Sequence, residues 1–241
     1  MSLSLNSVNR TDCVFIKTYG PKTPLWKYYS RSTLDLIGFR QPVEYYNNRK
    51  RLEFEYQTLK LWISYDLNVP EVIRKNSSDL HLSIIKGKTL HKIFTESNDI
   101  DMDLVIKLIN DVNYRHHLAF EYNEPKLCHV DANLGNIIYS NNKIFHIDFE
   151  MGREYENTSE WAQREMPKLL FSLLNNIPAG ERENVVELFH NIYEHTSVMN
   201  SFIKSKLKKI KLNRHKDSGN DNYSLVALAR DLQIHNKINE N

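Results

Sequence analysis

Short apolar runs and longer apolar stripes partition this chain. Residues 13–17, Cys-Val-Phe-Ile-Lys, read as a β-strand ending on Lys17, and Asn9-Arg10-Thr11-Asp12 just upstream has turn chemistry. Over 48–65, Leu52, Tyr56, Leu59 and Ile63 recur at three- to four-residue steps, which predicts an amphipathic helix. The segment 66–73 leads into a further strand. The run 79–90, DLHLSIIKGKTL, then reads as strand, connector and helix start, with Gly87 supplying freedom in φ. From 101 to 122, Val105, Leu108, Ile109 and Val112 form a helical stripe capped by Asp101 or Asp103, with His116 and His117 near the end, where they suit the helix dipole. Thr158–Leu174 is a helix with Trp161, Met166, Leu169, Leu170 and Leu173 as its core face, and 178–193 is another. Within 203–216, Ile203, Leu207 and Ile210 fall at helical steps among seven basic residues, and 224–234 reads as a last helix. The aromatic, basic connection over 20–50 reads as a pair of small packed helices with solvated charges.

One stretch stands apart from this pattern. Over 127–150, LCHVDANLGNIIYSNNKIFHIDFE places His129, Asp131 and Asn136 in the order H-x-D-x-x-x-x-N, with Asp148 following in I-D-F-E. Asn136-Ile137-Ile138-Tyr139 is β-prone, Ser140-Asn141-Asn142-Lys143 is turn chemistry, and Ile144 to Asp148 is a second strand. A loop thus carries Asp131 and Asn136, and a hairpin returns Asp148. Two carboxylates and an amide oxygen make a hard, oxygen-rich donor set, which suits Mg²⁺ rather than Zn²⁺. A free carboxylate beside such an ion can accept the proton of an attacking hydroxyl. These are the parts needed for phosphoryl transfer from a nucleotide.

The pattern resembles the protein-kinase-like superfamily, whose corresponding stretches are H-R-D-x-x-x-x-N and D-F-G. The resemblance implies a two-lobed α+β fold. A small, shortened β-rich N-lobe would occupy 1–85, with strands and a Glu-bearing helix; a mainly helical C-lobe would occupy 86–241. It implies Asp131 as catalytic base, Asn136 and Asp148 as metal ligands, and ATP and Mg²⁺ as cofactors. Val14-Phe15-Ile16-Lys17 is similar to the V-A-I-K strand, so Lys17 would orient the nucleotide phosphates. Glu55, in Glu55-x-x-x-Leu59, would pair with it, with Glu53 as the alternative. Backbone groups near Ser83, Ile84 and Ile85 would meet the adenine. Glu165 is the acid at the place where such folds brace the catalytic loop. Three departures stand out: Val130 follows His129, Glu150 replaces the Gly of D-F-G, and residues 1–16 contain no Gly, so the phosphate lid is shortened or built differently.

Within the superfamily, three features resemble the bacterial lipopolysaccharide-core (Kdo or heptose) kinases. They are the compact size, the short segment after Asp148 and the basic aromatic region. The favoured acceptor is then a hydroxyl of a core sugar, a lipid-linked one at the inner membrane surface among them. Tyr29, Leu34-Asp35 and the basic 203–216 instead resemble the small atypical kinase or ATPase subunit of the tRNA threonylcarbamoyladenosine complex. Small-molecule kinases of the aminoglycoside type are a third option. A pseudokinase acting as a binding module is the non-enzymatic alternative.

Composition narrows the setting. The chain has 241 residues, 41% hydrophobic and 26% charged, enough bulk for one globular unit of one or two lobes. A net charge of +2 announces no nucleic-acid binder, although 203–216 leaves that partner as a lesser alternative. The two cysteines, Cys13 and Cys128, fit no disulfide framework or zinc spacing, which points to a reducing compartment. The N-terminal text lacks an apolar signal core and no apolar run reaches the length of a membrane span. The expectation is a cytoplasmic protein, with peripheral contact at a membrane surface as an added option. Neither the oligomeric state nor the acceptor has a signature in the text.

Overall fold

The computed structural model describes residues 6–10, 14–20, 48–97, 99–129, 131–149, 157–212 and 224–239. The expected turn at 11–12, the 21–47 part of the connection expected to hold two small helices, and Cys13, Val130, Glu150 and 213–216 lie outside the described residues. The chain divides into two compact units: Met1–Lys86 with Phe145–Glu154, and Gly87–Ile144 with Tyr155–Asn241. The segment carrying Asp148 belongs with the first of these units.

The first unit is an antiparallel sheet with one helix on it. Strands β1 (Asn6–Arg10), β2 (Val14–Tyr19), β3 (Val72–Lys75) and β4 (Asp79–Ser83) lie in the order β1-β2-β4-β3. The predicted turn residues Asn9 and Arg10 are thus the end of a strand, opposite Ile16 and Phe15. Strand alternation sends Lys17 and Tyr19 to one face, where both are buried, and Lys17 lies in register with the fully buried Leu80. Helix α1 (Asn48–Ser64) packs on β2, β3 and β4. Its buried face carries Leu52, Glu55, Leu59 and Trp62: Leu52 and Leu59 of the expected line belong to it, whereas Tyr56 and Ile63 each fall one position outside it. Ile63 is 43% exposed. The pattern misled because the stripe's central position is a carboxylate, which hydropathy assigns to water.

Strands β5 (Lys88–Thr89), β6 (Ile137–Ser140) and β7 (Lys143–His146) form a small sheet in that order. The β6–β7 hairpin turns on Asn141 and Asn142, with φ of 48° and 62°. Two successive positive φ values fit a two-residue turn of the kind that matches strand twist, and Asn tolerates that region. Helices α2 (Leu90–Glu96), α3 (Met102–Glu121), α4 (Thr158–Leu174), α5 (Arg182–Ile192), α6 (Thr196–Leu212) and α7 (Leu225–Asn239) supply the rest. Asp101 caps α3, its side chain accepting from the Leu104 amide at 3.0 Å. The expected stripe Val105, Leu108, Ile109 and Val112 is buried, as is the expected core face of α4. His116 and His117 part company: His116 is fully buried, whereas His117 is exposed beside Glu121. In α6, Phe202 and Ile203 are buried and Lys204 is exposed. This is the α+β class expected from the sequence. Among the described residues no helix is long and apolar enough to cross a membrane.

Gly87 serves a different purpose from the expected one. Its φ is not positive; no glycine of the described residues has a positive φ. A Cβ there would lie 2.3 Å from the Tyr139 carbonyl oxygen and 2.7 Å from Ile138 Cγ2. Glycine is required by the close approach of β6, not by backbone freedom. Gly87→Ala is expected to destabilise the fold by about 1–3 kcal/mol, the usual cost of forcing atoms into a filled space. Urea unfolding measures it, and an unchanged midpoint would show that β6 yields freely.

Candidate active site

Glu55 sits on the buried face of α1, one helical turn after Arg51 and two before Trp62. Lys17 Nζ donates to Glu55 Oε2 at 2.7 Å and to Asp148 Oδ1 at 2.7 Å. Both side chains of the Lys17–Glu55 pair are buried, at 8% and 1% exposure, while Asp148 keeps 37%. The expected partner is therefore Glu55; Glu53 instead pairs with Lys75 at the surface. Burial pushes the Glu55 carboxyl above the usual carboxylate range. The Lys17 charge works against that push, and Asp148 adds to it. The Tyr19 hydroxyl also donates to Glu55 Oε2. The Arg51 guanidinium stands 5.8 Å from the Tyr19 ring centroid. Sequence reading found Lys17 and Glu55 but not Tyr19, whose signal is its place two residues after Lys17 on the same strand face.

Asp148 has φ 66°, a left-handed conformation that a non-glycine residue adopts at a cost of order 1–3 kcal/mol. Two neighbouring contacts hold it. The salt bridge to Lys17 fixes its carboxylate, and Phe149, 5% exposed, meets Trp62 edge to face at 4.8 Å between centroids. The His146 ring lies 5.1 Å from the same indole, and its amide donates to the Asn68 carbonyl at 3.0 Å. One helix face, through Glu55 and Trp62, thus positions Asp148 from both sides.

The second unit holds Asp131 and Asn136 in a loop tied to α4. Asn133 Oδ1 accepts from the Gly135 amide at 2.9 Å, and its Nδ2 donates to the Asp131 carbonyl at 3.0 Å. Asn136 Nδ2 donates to Asp131 Oδ2 at 3.1 Å and to the Asp131 carbonyl at 3.1 Å. The Asn136 nitrogen is spent within the loop, so its Oδ1 is the atom left to ligate a cation. Helix α4 meets the loop at i, i+3 and i+7. Glu165 Oε2 accepts from the His129 amide at 2.6 Å, Lys168 Nζ donates to Asp131 Oδ1, and Ser172 Oγ accepts from the Leu134 amide at 3.1 Å. Those three residues share one helical face. Only Glu165 was legible beforehand, as the acid at the bracing position; Lys168 and Ser172 were not.

Glu165 is fully buried in a polar cluster. Arg115 Nη2 lies 2.6 Å from Glu165 Oε1, and Arg115 Nε 2.9 Å from Asp111. His116 bridges Glu165 at 3.1 Å and the Tyr193 hydroxyl at 2.6 Å. Burial alone would raise the Glu165 carboxyl, but Arg115 and His116 outweigh it and hold it well below the usual carboxylate range. Burial pushes the Cys128 thiol beside it up, which keeps it unreactive. His116, Cys128 and Glu165 could geometrically surround an ion. The His116 nitrogens and Glu165 Oε2 already serve the hydrogen bonds above, and Glu165 Oε1 faces the Arg115 guanidinium, so the cluster is a structural knot.

Of the expected adenine contacts, Ser83 donates its amide to the Glu71 carbonyl at 2.9 Å and its hydroxyl accepts from the Glu71 amide at 2.9 Å. Ile84 and Ile85 follow β4 outside regular structure and are half-buried.

The element order, with a lysine strand, a glutamate helix, a catalytic-type loop and a returning hairpin, is that implied by the resemblance to the protein-kinase-like superfamily. No protein-family model matches the chain, and no curated protein matches it. Among solved structures it is similar to WaaP in complex with acyl carrier protein, with a TM-score of 0.49 and 11% identity over 87% of each chain. It is also similar to Rv3197 of Mycobacterium tuberculosis in complex with erythromycin, with a TM-score of 0.42 and 14% identity over 97% of this chain and 70% of that one. A third is the ADP-bound aminoglycoside phosphotransferase APH(2'')-Ib, with a TM-score of 0.38 and 12% identity over 97% of this chain and 93% of that one. At identities this low the likeness is of backbone alone and carries no residue's role.

The Arg115–Glu165 pair generates a stability prediction. Glu165→Gln leaves a buried guanidinium short of its counter-charge, and urea unfolding at neutral pH is expected to show a loss of about 3–5 kcal/mol. The depressed Glu165 contributes stability fully above its usual 4.5 and loses it as pH falls below that value toward the folded one. The gap between wild type and variant should therefore narrow in acid. A gap that is flat with pH would remove Glu165 ionisation from the account.

Proposed function

We propose that the chain is a phosphotransferase that uses ATP and Mg²⁺ and moves the γ-phosphoryl to an acceptor hydroxyl. The observation that carries this reading is the buried Lys17 ammonium, held at once by Glu55 and Asp148. A desolvated cation on a carboxylate bracket is a preformed seat for phosphate oxygens. The donor set fits the ion: the Asp148 carboxylate and the Asn136 amide oxygen are hard ligands, and the Asn136 nitrogen is already engaged in its loop. Mg²⁺, when bound by Asp148 and Asn136, neutralises phosphate charge. Lys17, steadied by Glu55, orients the phosphates. Asp131 takes the acceptor proton as the phosphoryl group moves in line. Backbone groups near Ser83, Ile84 and Ile85 meet the adenine, the Ser83 amide excepted, since it donates to the Glu71 carbonyl.

The favoured acceptor is a lipopolysaccharide-core sugar hydroxyl, on the short segment after Asp148 and the basic, aromatic text over 20–51. The alternatives are a small atypical protein kinase or ATPase and a nucleotide-free binding module, the latter supported by the absence of glycine from residues 1–16.

Thermal unfolding with and without millimolar MgATP separates these classes, since a ligand that binds only the folded chain raises its melting temperature. A rise is expected in wild type and in Asp131→Ala, and is reduced in Lys17→Met. Phosphotransfer from labelled ATP, tested with lipopolysaccharide, protein and tRNA-complex acceptors, is expected to vanish in Asp131→Ala. Full transfer by that variant removes Asp131 from the base role, and no thermal response to any nucleotide favours the binding module.

A further inference from the structure

Asp131 has a cationic partner that its own loop does not provide. The loop sequence His-Val-Asp-Ala-Asn-Leu-Gly-Asn over 129–136 contains no lysine or arginine. The cation comes instead from α4, where Lys168 Nζ donates to Asp131 Oδ1. The opposite oxygen, Oδ2, accepts from Asn136 Nδ2 at 3.1 Å. Asn133 does not compete, because both its side-chain polar atoms are committed within the loop.

The pair is open to water, with Lys168 and Asp131 at 43% and 24% side-chain exposure. Ion pairs of that kind contribute about 0–1 kcal/mol, so this one does little to hold the loop. The loop is fixed by its neighbours on the same helix face, Glu165 on the His129 amide and Ser172 on the Leu134 amide. Lys168 stands between these two anchors on a rigid helix, with a flexible stem and an ammonium at the carboxylate that takes the acceptor proton. Phosphoryl transfer brings a second negative group beside that carboxylate, and a mobile cation there offsets the repulsion.

Resting on the phosphotransferase reading above, we propose that Lys168 is a catalytic cation of the transfer: it pairs with Asp131 before the acceptor arrives and turns to the γ-phosphoryl oxygens during reaction. The acceptor O–H bond breaks and its proton goes to an Asp131 carboxylate oxygen. The acceptor oxygen forms its bond to the γ-phosphorus. The bond from that phosphorus to the bridging oxygen breaks, and its electron pair leaves on ADP. Lys168 exchanges one anionic partner for another and keeps its three protons.

The test uses the full chain with MgATP, water serving as the acceptor, and the variants Lys168→Met and Lys168→Arg. Turnover, the dissociation constant for MgATP, the dissociation constant for ADP with aluminium fluoride, and the urea midpoint are measured for each. Lys168→Met is expected to lower kcat on the order of 10²-fold, as loss of a transition-state charge partner does. MgATP affinity should stay within about threefold, because in this reading Lys168 acts on the transition state rather than on bound nucleotide. Affinity for ADP with aluminium fluoride should fall in step with kcat, and Lys168→Arg should recover most of both. Wild-type turnover in Lys168→Met, or a kcat loss matched by lost MgATP affinity or a lowered urea midpoint, overturns the assignment and leaves the phosphotransferase reading standing. A wild-type chain that neither binds nor turns over MgATP overturns both together.

Discussion

An ammonium taken out of water costs several kcal/mol unless an opposite charge and hydrogen bonds replace its hydration. Lys17 meets that condition with two carboxylates at 2.7 Å each. The arrangement constrains the whole first unit. Strand β2 must present Lys17 and Tyr19 to α1, and α1 must turn a glutamate inward at the centre of an otherwise apolar face. The 146–149 segment must lie against the same face so that Asp148 reaches the ammonium while Phe149 covers Trp62. Removing either partner alone would leave the other as an uncompensated buried charge, which sets the geometry more firmly than apolar packing alone.

The second unit applies the same principle to a loop. Glu165 is ionised in the core because Arg115 and His116 surround it, and its remaining capacity is used on the His129 amide. With Ser172 on the Leu134 amide, the helix fixes the backbone on both sides of Asp131 and leaves the carboxylate itself half-exposed. The division of labour is physical. Buried hydrogen bonds to backbone amides supply rigidity, whereas an exposed ion pair supplies a charge that can move.

Much of this was legible in the text because it lay in local spacing. H-x-D-x-x-x-x-N fixed which side chains share a loop, and Asn141-Asn142 announced a turn that brings a strand straight back. Glu55-x-x-x-Leu59 marked the inward acid, although two of the four expected stripe positions, Tyr56 and Ile63, stand one place off the buried face, since a buried carboxylate inverts the rule by which stripes are read. Gly87 was noticed for the wrong reason. Its sequence neighbours give no hint that the β6 backbone passes within van der Waals distance of its Cα hydrogens. Tyr19, Arg115, Lys168 and Ser172 escaped notice because each is an ordinary residue on an ordinary strand or helix.

The sequence by itself determined the local pieces: the strand that carries Lys17, although it runs on to Tyr19 rather than ending there, the helix bearing glutamate, the Asp-Asn loop and its hairpin, and the apolar faces of α3 and α4. Those follow from side-chain period, turn preference and capping, all of which act over a few residues. Only the tertiary structure decided which charge meets which. Glu55 rather than Glu53 takes Lys17, and Lys168 rather than a loop residue takes Asp131. Such choices are made by burial, because a charge removed from water is selective among partners tens of residues away, and no local pattern records that selection.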